Sequence, residues 1–242
     1  MLDINKIEGI IFDYGGTIDS NGKHWAEVLW EAYEENRIPV SKEDFREAYV
    51  YAERYLATHY IIEPTDTFRE LLKKKVDIQI NSLVEEKKLP KDDKTSQYSL
   101  VVSNHCYNFA SSALQKAKPI IQKMSEKYPL VLVSNFYGNV ESVLADFGII
   151  SYFKEIVESA VVGIRKPDSG IFSLGVKSLG FSPENIVVIG DSYSKDIVPA
   201  TKIACKTIWL KGVGWEEEDL SHTADVVISD FCELNEIFDL SK

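Results

Sequence analysis

The chain has 242 residues, of which 45% are hydrophobic and 27% charged, and its formal net charge is -11 at pH 7. This composition is typical of a globular protein with one large domain, or with a core and a smaller inserted domain. The acidic balance argues against a nucleic-acid partner, because phosphate backbones are bound through a surplus of Lys and Arg, but small anionic ligands remain possible.

Cysteine usage and the apolar runs indicate where the protein works. The three cysteines are scattered and lack the spacing of metal ligands, so we expect reduced thiols at Cys106, Cys205 and Cys232. The first residues do not follow the pattern of a signal peptide. Apolar runs stay shorter than the roughly 20 residues that cross a bilayer. We therefore expect a cytoplasmic protein without a membrane partner.

Residues 7–13 form an apolar run that predicts the first strand, and this run ends on the carboxylate of Asp13. Gly15 and Gly16 follow and indicate a turn. In open α/β sheets, ligands bind outside the carboxyl ends of the strands, where Asp13 would lie. Taken alone, Asp13 could equally cap a turn after an edge strand.

Residues 20–117 lack strand-like runs and show helical periodicity instead. Ser41 followed by acidic residues is typical of a helix N-cap. We predict helices over residues 24–36, 41–60, 67–88 and 95–116. The lysine run 73–75 is interpreted as a solvated helix face. Aromatic residues of this segment could line a pocket, although core packing explains them equally well; they include Trp25, Trp30, Tyr51 and Tyr55.

From residue 119 onward, strand and helix patterns alternate with short connections, which predicts a parallel sheet with right-handed crossovers. Gly148 and Gly180 are placed to end helices in the left-handed conformation. The predicted strands are 130–133, 186–189, 207–210 and 226–228. The predicted helices include 119–128, 139–147, 169–179 and 231–240. The helical stretch thus interrupts an α/β core formed by residues 1–19 and 118–242, and residues 20–117 form the insertion.

Four polar side chains stand at the ends of predicted strands or just after them: Asp13, Ser134, Lys166 and Asp191. The carboxyl ends of parallel strands lie at one edge of the sheet, so these side chains can meet in one pocket.

Four motifs carry a resemblance to a known family. They are Asp-Tyr-Gly-Gly-Thr at 13–17, Ser-Asn at 134–135, Lys-Pro at 166–167, and Gly-Asp-Ser at 190–192 with Asp196 four residues later. Their order and strand context resemble the phosphatases of the haloacid dehalogenase superfamily that carry a helical cap. The resemblance implies a Rossmann-like, three-layer α/β/α core with an inserted helical cap, Mg²⁺ as cofactor, and a small phosphorylated metabolite as substrate.

The resemblance also implies roles for individual residues. Catalysis through an aspartyl-phosphate would use Asp13 as nucleophile, with Ser134, Lys166 and Asp191. The residues expected to bind phosphate are Gly16, Thr17, Ser134, Asn135 and Lys166. The residues expected to hold Mg²⁺ are Asp13, Gly15 through its carbonyl, Asp191 and Asp196.

One position departs from the family pattern. The family's phosphatases carry an Asp two residues after the nucleophile, which protonates the leaving group, and this chain has Gly15. Three interpretations follow: a phosphohydrolase that favours good leaving groups or borrows another acid such as Asp19, a phosphonate-cleaving enzyme with an insertion lysine such as Lys23 or Lys42, and a non-catalytic protein that binds phosphate and Mg²⁺.

Overall fold

A single parallel sheet organises the protein, whose computed structural model describes residues 2–212 and 224–240. Within these ranges, six strands lie in the order β3-β2-β1-β4-β5-β6, and each neighbouring pair is parallel. The strands are β1 Gly9–Phe12, β2 Leu130–Ser134, β3 Glu155–Glu158, β4 Ile186–Gly190, β5 Lys206–Leu210 and β6 Val226–Ile228. The chain leaves β1 in one direction and returns to its other side at β4, so β1 lies at the switch point where α/β proteins bind ligands.

Helices cover both faces of this sheet. Ile10 and Phe12 of β1 belong to one buried cluster together with Ile121 of the fourth helix. Ile11 belongs to a second cluster with Phe172 of the seventh. The helices are α1 Trp25–Glu35, α2 Lys42–Thr58, α3 Phe68–Glu85, α4 Asp93–Lys127, α5 Val140–Asp146, α6 Ser159–Val162, α7 Gly170–Leu179, α8 Val198–Lys202 and α9 Leu234–Ile237. This arrangement confirms the predicted three-layer α/β/α fold.

The helical insertion, α1 to α4, lies between β1 and β2 in the chain. Its helices begin where side chains accept the free backbone N–H groups of the first turn. The predicted cap at Ser41 is confirmed, since its hydroxyl accepts the N–H of Asp44 at 3.1 Å. Thr67 and Glu70 form a reciprocal capping box at the start of α3. The predicted C-terminal glycines are also confirmed, with φ of 65° at Gly148 and 81° at Gly180.

One predicted break is wrong, because α4 is continuous across it. The sequence predicted separate helices over 95–116 and 119–128, whereas α4 runs from Asp93 to Lys127 with Pro119 inside. Proline removes one helical N–H, but Pro119 faces solvent while Ile120 and Ile121 are buried in the core, and their burial maintains the helix. The predicted core and insertion boundary at residues 117/118 falls within α4, and that division stays a prediction.

Two further findings concern the cysteines and the length of the helices. The three cysteines are unpaired. No helix in residues 2–212 or 224–240 is both long enough and apolar enough to cross a membrane. Three parts of the predicted core, which spans residues 1–19 and 118–242, lie outside the described residues. They are residue 1, residues 213–223 and residues 241–242.

Replacing Pro119 with alanine tests whether packing alone maintains α4. Pro119→Ala restores a helical N–H at an exposed position, and we expect the free energy of unfolding to rise by about 1–3 kcal/mol, less the small gain in unfolded-chain entropy. Chemical denaturation measures the change. Gln115→Ala, at another exposed position of α4, is the matched control and should change stability by less than about 0.5 kcal/mol. A destabilised Pro119→Ala protein would contradict this account.

Candidate functional site

A cavity of about 200 Å³ opens at the carboxyl edge of the sheet, between the strand ends and the helical insertion. Asp13, Asn135 and Asp191 line it from the ends of β1, β2 and β4, and Trp25 and Phe68 line it from the insertion. The parallel register fixes these strand ends beside each other, since Phe12 pairs with Leu132 on one side and Ile189 on the other. Of the four side chains predicted to meet, Asp13, Lys166 and Asp191 line this cavity, and Ser134 is not among its lining residues.

Asp13 lies at the floor of the cavity and is 5% exposed. One carboxylate oxygen, Oδ1, lies 2.6 Å from the Nζ atom of Lys166. The other, Oδ2, is 2.8 Å from the hydroxyl of Thr17, one turn further along the chain. Two neighbours therefore fix the orientation of this carboxylate.

Lys166 connects two carboxylates that would otherwise repel each other. Its Nζ atom, besides contacting Asp13, lies 2.7 Å from Oδ1 of Asp196. Although burial lowers it, the charges of Asp13 and Asp196 hold the pKa of Lys166 above its usual value. The side chain is therefore a permanent cation at neutral pH.

Asn135 holds the backbone of Lys166 in place. Its amide Nδ2 donates to the carbonyl of Lys166 at 3.1 Å, and its Oδ1 accepts the N–H of Lys166 at 2.9 Å. This double hydrogen bond indicates a positioning role for a residue that the sequence analysis assigned to phosphate. The neighbouring Ser134 hydroxyl is buried and has no hydrogen-bond partner in the described part of the chain.

Three carboxylates form a cluster that could hold a metal ion. Asp13, Asp191 and Asp196 each offer an oxygen, and these atoms lie within 4.8 Å of one another. Carboxylate oxygens are the donors that Mg²⁺ favours, so the residues fit the predicted ion. Asp196 is further held by Lys166 and by the N–H of Ser192, which lies 3.0 Å from its Oδ2. Both oxygens of Asp196 therefore already have a partner, as do both oxygens of Asp13.

Burial makes the carboxyl groups of Asp191 and Asp196 costly to ionise. Burial, together with the charges of Asp13 and Asp196, raises the pKa of Asp191 well above its ordinary value. Burial likewise raises the pKa of Asp196 to about 6, although Lys166 opposes the shift. Clustered buried carboxylates thus bind protons that a divalent cation would displace.

The two adjacent glycines of the first motif differ in whether the backbone and its surroundings require glycine. Gly16 has φ of 99°, and a Cβ atom there would clash with the carboxylate of Asp191, so glycine is required. At Gly15 the backbone is ordinary, and the nearest atom to a built Cβ is Oδ2 of Asp19 at 4.0 Å. A side chain at position 15 would therefore have room in the cavity.

Asp19, which the sequence analysis weighed as a substitute acid, is fully buried. Its Oδ1 accepts the N–H of Gly16 at 2.7 Å, and its Oδ2 accepts the indole N–H of Trp25 at 2.9 Å. Burial raises its pKa to about 7. Both oxygens are engaged in holding the turn and Trp25, which supports a structural role for Asp19 rather than that of a substitute acid.

Sequence reasoning missed a polar group on the insertion side of the cavity. Lys75 of α3 pairs with Glu53 of α2, and both line the cavity together with Tyr137. The interpretation of residues 73–75 as a solvated face is wrong for Lys75, which is 6% exposed. The available signal was its register: position 75 falls three and four residues after Leu72 and Leu71, on the buried face of α3.

The structure also locates the other lysines and aromatic residues that the sequence suggested for the site. Lys23 pairs with Glu31, and Lys42 pairs with Glu27. Trp25 does line the cavity. The three remaining aromatic residues are not among the cavity-lining residues; these are Trp30, Tyr51 and Tyr55.

The fold and site together define an α/β protein with a Rossmann-like sheet that carries a carboxylate cluster and a buried lysine at its carboxyl edge. Comparison identifies the family: the model for haloacid dehalogenase-like hydrolases matches residues 7–202. The chain belongs to the haloacid dehalogenase-like hydrolases.

Curated relatives of the chain include phosphatases. Glyceraldehyde 3-phosphate phosphatase of Pyrococcus furiosus is 31% identical over 90 residues, covering 36% of this chain and 38% of that protein. Phosphoserine phosphatase of Thermus thermophilus is 30% identical over 110 residues, covering 45% and 43%. The matches thus span about two fifths of each relative's length.

Among solved structures, the HAD-hydrolase YfnB of Bacillus subtilis, bound to magnesium, shares the fold. It superposes with a TM-score of 0.60 at 19% identity, over 96% of this chain and 99% of that one.

The raised carboxylate pKa values predict that Mg²⁺ binding weakens in acid. In the metal-free protein, a pKa of Asp196 raised to about 6 favours folding at low pH, and this stabilisation is lost as pH rises through that value. Mg²⁺ should therefore raise the melting temperature more at about pH 7.5 than at about pH 5.5, because bound protons compete with it at the lower pH.

Thermal melts with and without Mg²⁺ at the two pH values measure this difference. Asp191→Asn should remove most of the Mg²⁺ shift at both. Asp77→Asn, which alters a half-exposed carboxylate paired with Lys73, is the matched control and should retain it. An equal Mg²⁺ shift at both pH values would contradict the account.

Proposed function

We propose that the protein is a Mg²⁺-dependent phosphohydrolase that acts on a small phosphorylated metabolite through an aspartyl-phosphate on Asp13. The observation that carries this proposal is the Asp13 carboxylate at the cavity floor, fixed by Lys166 at 2.6 Å and Thr17 at 2.8 Å. Its neighbours Asp191 and Asp196 complete an acidic cluster suited to a hard cation. Membership of the hydrolase family and similarity to phosphatases support the same activity.

In this proposal Asp13 supplies the nucleophile. An oxygen of Asp13 attacks phosphorus, the bond from phosphorus to the leaving oxygen breaks, and that oxygen departs with the electron pair. Water then attacks the phosphorus of the aspartyl-phosphate, and the bond from phosphorus to the Asp13 oxygen breaks with its electron pair left on that oxygen. Inorganic phosphate departs with the oxygen and protons of the water, which regenerates the carboxylate. Lys166 keeps Asp13 ionised and offsets the negative charge of the approaching phosphoryl group.

The remaining groups orient the phosphoryl group and the cation. The buried hydroxyl of Ser134, which lacks a partner among residues 2–212 and 224–240, suits a phosphoryl oxygen. Thr17 contacts Asp13 and also lies 3.1 Å from Oδ1 of Asp191, so it fixes both carboxylates. Asp13, Asp191 and the carbonyl of Gly15 would hold Mg²⁺, with Asp196 in support. When bound, Mg²⁺ supplies positive charge that stabilises the transferring phosphoryl group.

Gly15 sets the leaving groups that this site would accept. No carboxyl is available at position 15, and both oxygens of Asp19 are engaged by Gly16 and Trp25. General acid catalysis is worth about 10²–10⁴-fold in rate. We therefore expect acyl and aryl phosphates, whose leaving groups need little protonation, to react faster than alkyl phosphates.

The phosphonate-cleaving alternative receives less support. That chemistry needs an insertion lysine as a neutral amine, and Lys23 and Lys42 are held in ion pairs with Glu31 and Glu27. Lys75 does face the cavity. Although burial lowers it, the charge of Glu53 holds the pKa of Lys75 well above its ordinary value, so its amine stays protonated.

A panel of acetyl phosphate, p-nitrophenyl phosphate and glycerol 3-phosphate, assayed with Mg²⁺ and with chelator, tests the proposal. We expect Mg²⁺-dependent turnover in that order of decreasing rate. Asp13→Asn should lower turnover of all three below detection, because the amide is a poor nucleophile. Mg²⁺-dependent binding of inorganic phosphate without turnover of any of the three would instead identify a non-catalytic phosphate-binding protein.

The missing acid can be restored at position 15. Gly15→Asp has room for its side chain, and we expect it to raise glycerol 3-phosphate turnover by about tenfold or more, with a smaller change for acetyl phosphate. Gly15→Asn is the matched control, since its amide has similar size but transfers no proton. Equal rates for the Asp and Asn variants would show that proton transfer at this position does not limit the reaction.

A further inference from the structure

Glu53, Lys75 and Tyr137 form a polar cluster on the cavity wall, which we call the tail cluster. The Lys75 ammonium pairs with Glu53. The Tyr137 hydroxyl donates to Oε2 of Glu53 at 2.8 Å and accepts from Nζ of Lys75 at 3.3 Å. All three residues line the cavity that also contains Asp13 and Lys166.

The tail cluster joins the insertion to the core. Glu53 belongs to α2 and Lys75 to α3, whereas Tyr137 lies in the loop that follows β2. The Nζ atom of Lys75 also lies 5.5 Å from the ring centre of Tyr49 and 5.6 Å from that of Tyr137. These contacts hold the ammonium at one place on the wall.

The tail cluster contains two opposite charges and has no net charge. Burial opposes ionisation of both partners, yet Lys75 holds the pKa of Glu53 below its usual value, and Glu53 holds that of Lys75 well above. Burial raises the pKa of Tyr137 to about 12, so its hydroxyl keeps its proton at neutral pH. One cation, one anion and one neutral hydroxyl therefore face the cavity.

Stability alone gives little reason for such a pair. Apolar residues of similar volume often replace a buried ion pair without loss of stability, because desolvation consumes most of the attraction. The neighbouring wall positions from α3 are indeed apolar: Phe68, Leu71 and Leu72. A charged pair beside them, on the surface that a ligand would touch, indicates recognition of polar groups.

The donors and acceptors of the tail cluster match hydroxyl groups. An ammonium offers three donors and a carboxylate about four acceptor sites, so the pair can serve more partners than each other and Tyr137. A hydroxyl both donates and accepts, and gains from both charges. A carboxylate tail would be repelled by Glu53, and an ammonium tail would be repelled by Lys75. An apolar tail would desolvate both charges without offering them a hydrogen bond.

We propose that the tail cluster recognises the uncharged, hydroxyl-bearing part of the substrate, and that the substrate class is small polyol or sugar phosphates. The inference rests on the proposed phosphohydrolase function, and it concerns which tail is bound. The cavity of about 200 Å³ is below the range of drug-sized ligand sites, which suits a molecule of a few carbons.

Inhibition of acetyl phosphate hydrolysis tests this inference apart from the rate of alkyl phosphate turnover. Three competitors differ in the tail: glycerol 3-phosphate carries hydroxyls, 3-phosphoglycerate replaces one terminal hydroxymethyl with a carboxylate, and propyl phosphate carries neither. We expect glycerol 3-phosphate to bind at least about tenfold more tightly than either, as hydrogen bonds to charged groups imply. Absence of acetyl phosphate hydrolysis would overturn the proposed function. Hydrolysis with equal inhibition by all three, or with tightest inhibition by 3-phosphoglycerate, would overturn this inference alone.

Variants connect the preference to the tail cluster. The double variant Glu53→Leu with Lys75→Met removes both charges together, and we expect the preference for glycerol 3-phosphate over propyl phosphate to fall about tenfold. Tyr137→Phe, which preserves the ion pair, should lower it by a smaller factor. The matched control replaces a half-exposed pair of α3 that does not line the cavity, Lys73→Met with Asp77→Leu, and should leave the preference unchanged. Retention of the full preference in the double variant, or in Tyr137→Phe if the double variant does not fold, would overturn the assignment.

Discussion

The contact of one buried ammonium with two carboxylates is the constraint on which the site depends. Asp13 and Asp191 meet because parallel strand ends meet, Asp196 joins them from the helical turn Tyr193–Ile197 after β4, and the mutual repulsion of the three carboxylates would oppose burial. Lys166 offsets this repulsion by lying between Asp13 and Asp196, 4% exposed, and Asn135 fixes the backbone that carries it. Removal of the ammonium would leave buried carboxylates to take up protons, which would remove the nucleophilic oxygen that the proposed reaction needs.

The cavity has two chemically different ends, which divide recognition between core and insertion. The core provides carboxylates and the ammonium of Lys166 to the cavity wall, a set suited to a phosphoryl group with a cation. The tail cluster provides a neutral combination of donors and acceptors. Gly15 also lines this cavity, and it is the glycine of the first motif at which a Cβ atom would have room.

Sequence patterns predicted the features set by strand periodicity and chain order. The parallel sheet and the meeting of Asp13 with Asp191 follow from apolar strands alternating with helices, since register then fixes which tips are neighbours. Lys75 was missed because a run of three lysines obscures the helical register of its third member. The dual contact of Asn135 with Lys166 joins residues 31 positions apart, which local patterns do not encode. Pro119 predicts a break because the sequence shows only the local preference of proline. The core packing that outweighs this preference becomes visible in the structure.

The continuity of α4 has a mechanical consequence. At 1.5 Å per residue its 35 residues extend about 50 Å, from the insertion, where α4 packs on α1 and α3, to the start of β2. The other connection, between β1 and α1, is made of turns. The insertion is thus attached by a loop on one side and by a stiff rod on the other. Any bending of this rod would tilt the insertion relative to the sheet, and Pro119, where the hydrogen-bond ladder lacks a donor, is the position in α4 at which the helix resists bending least.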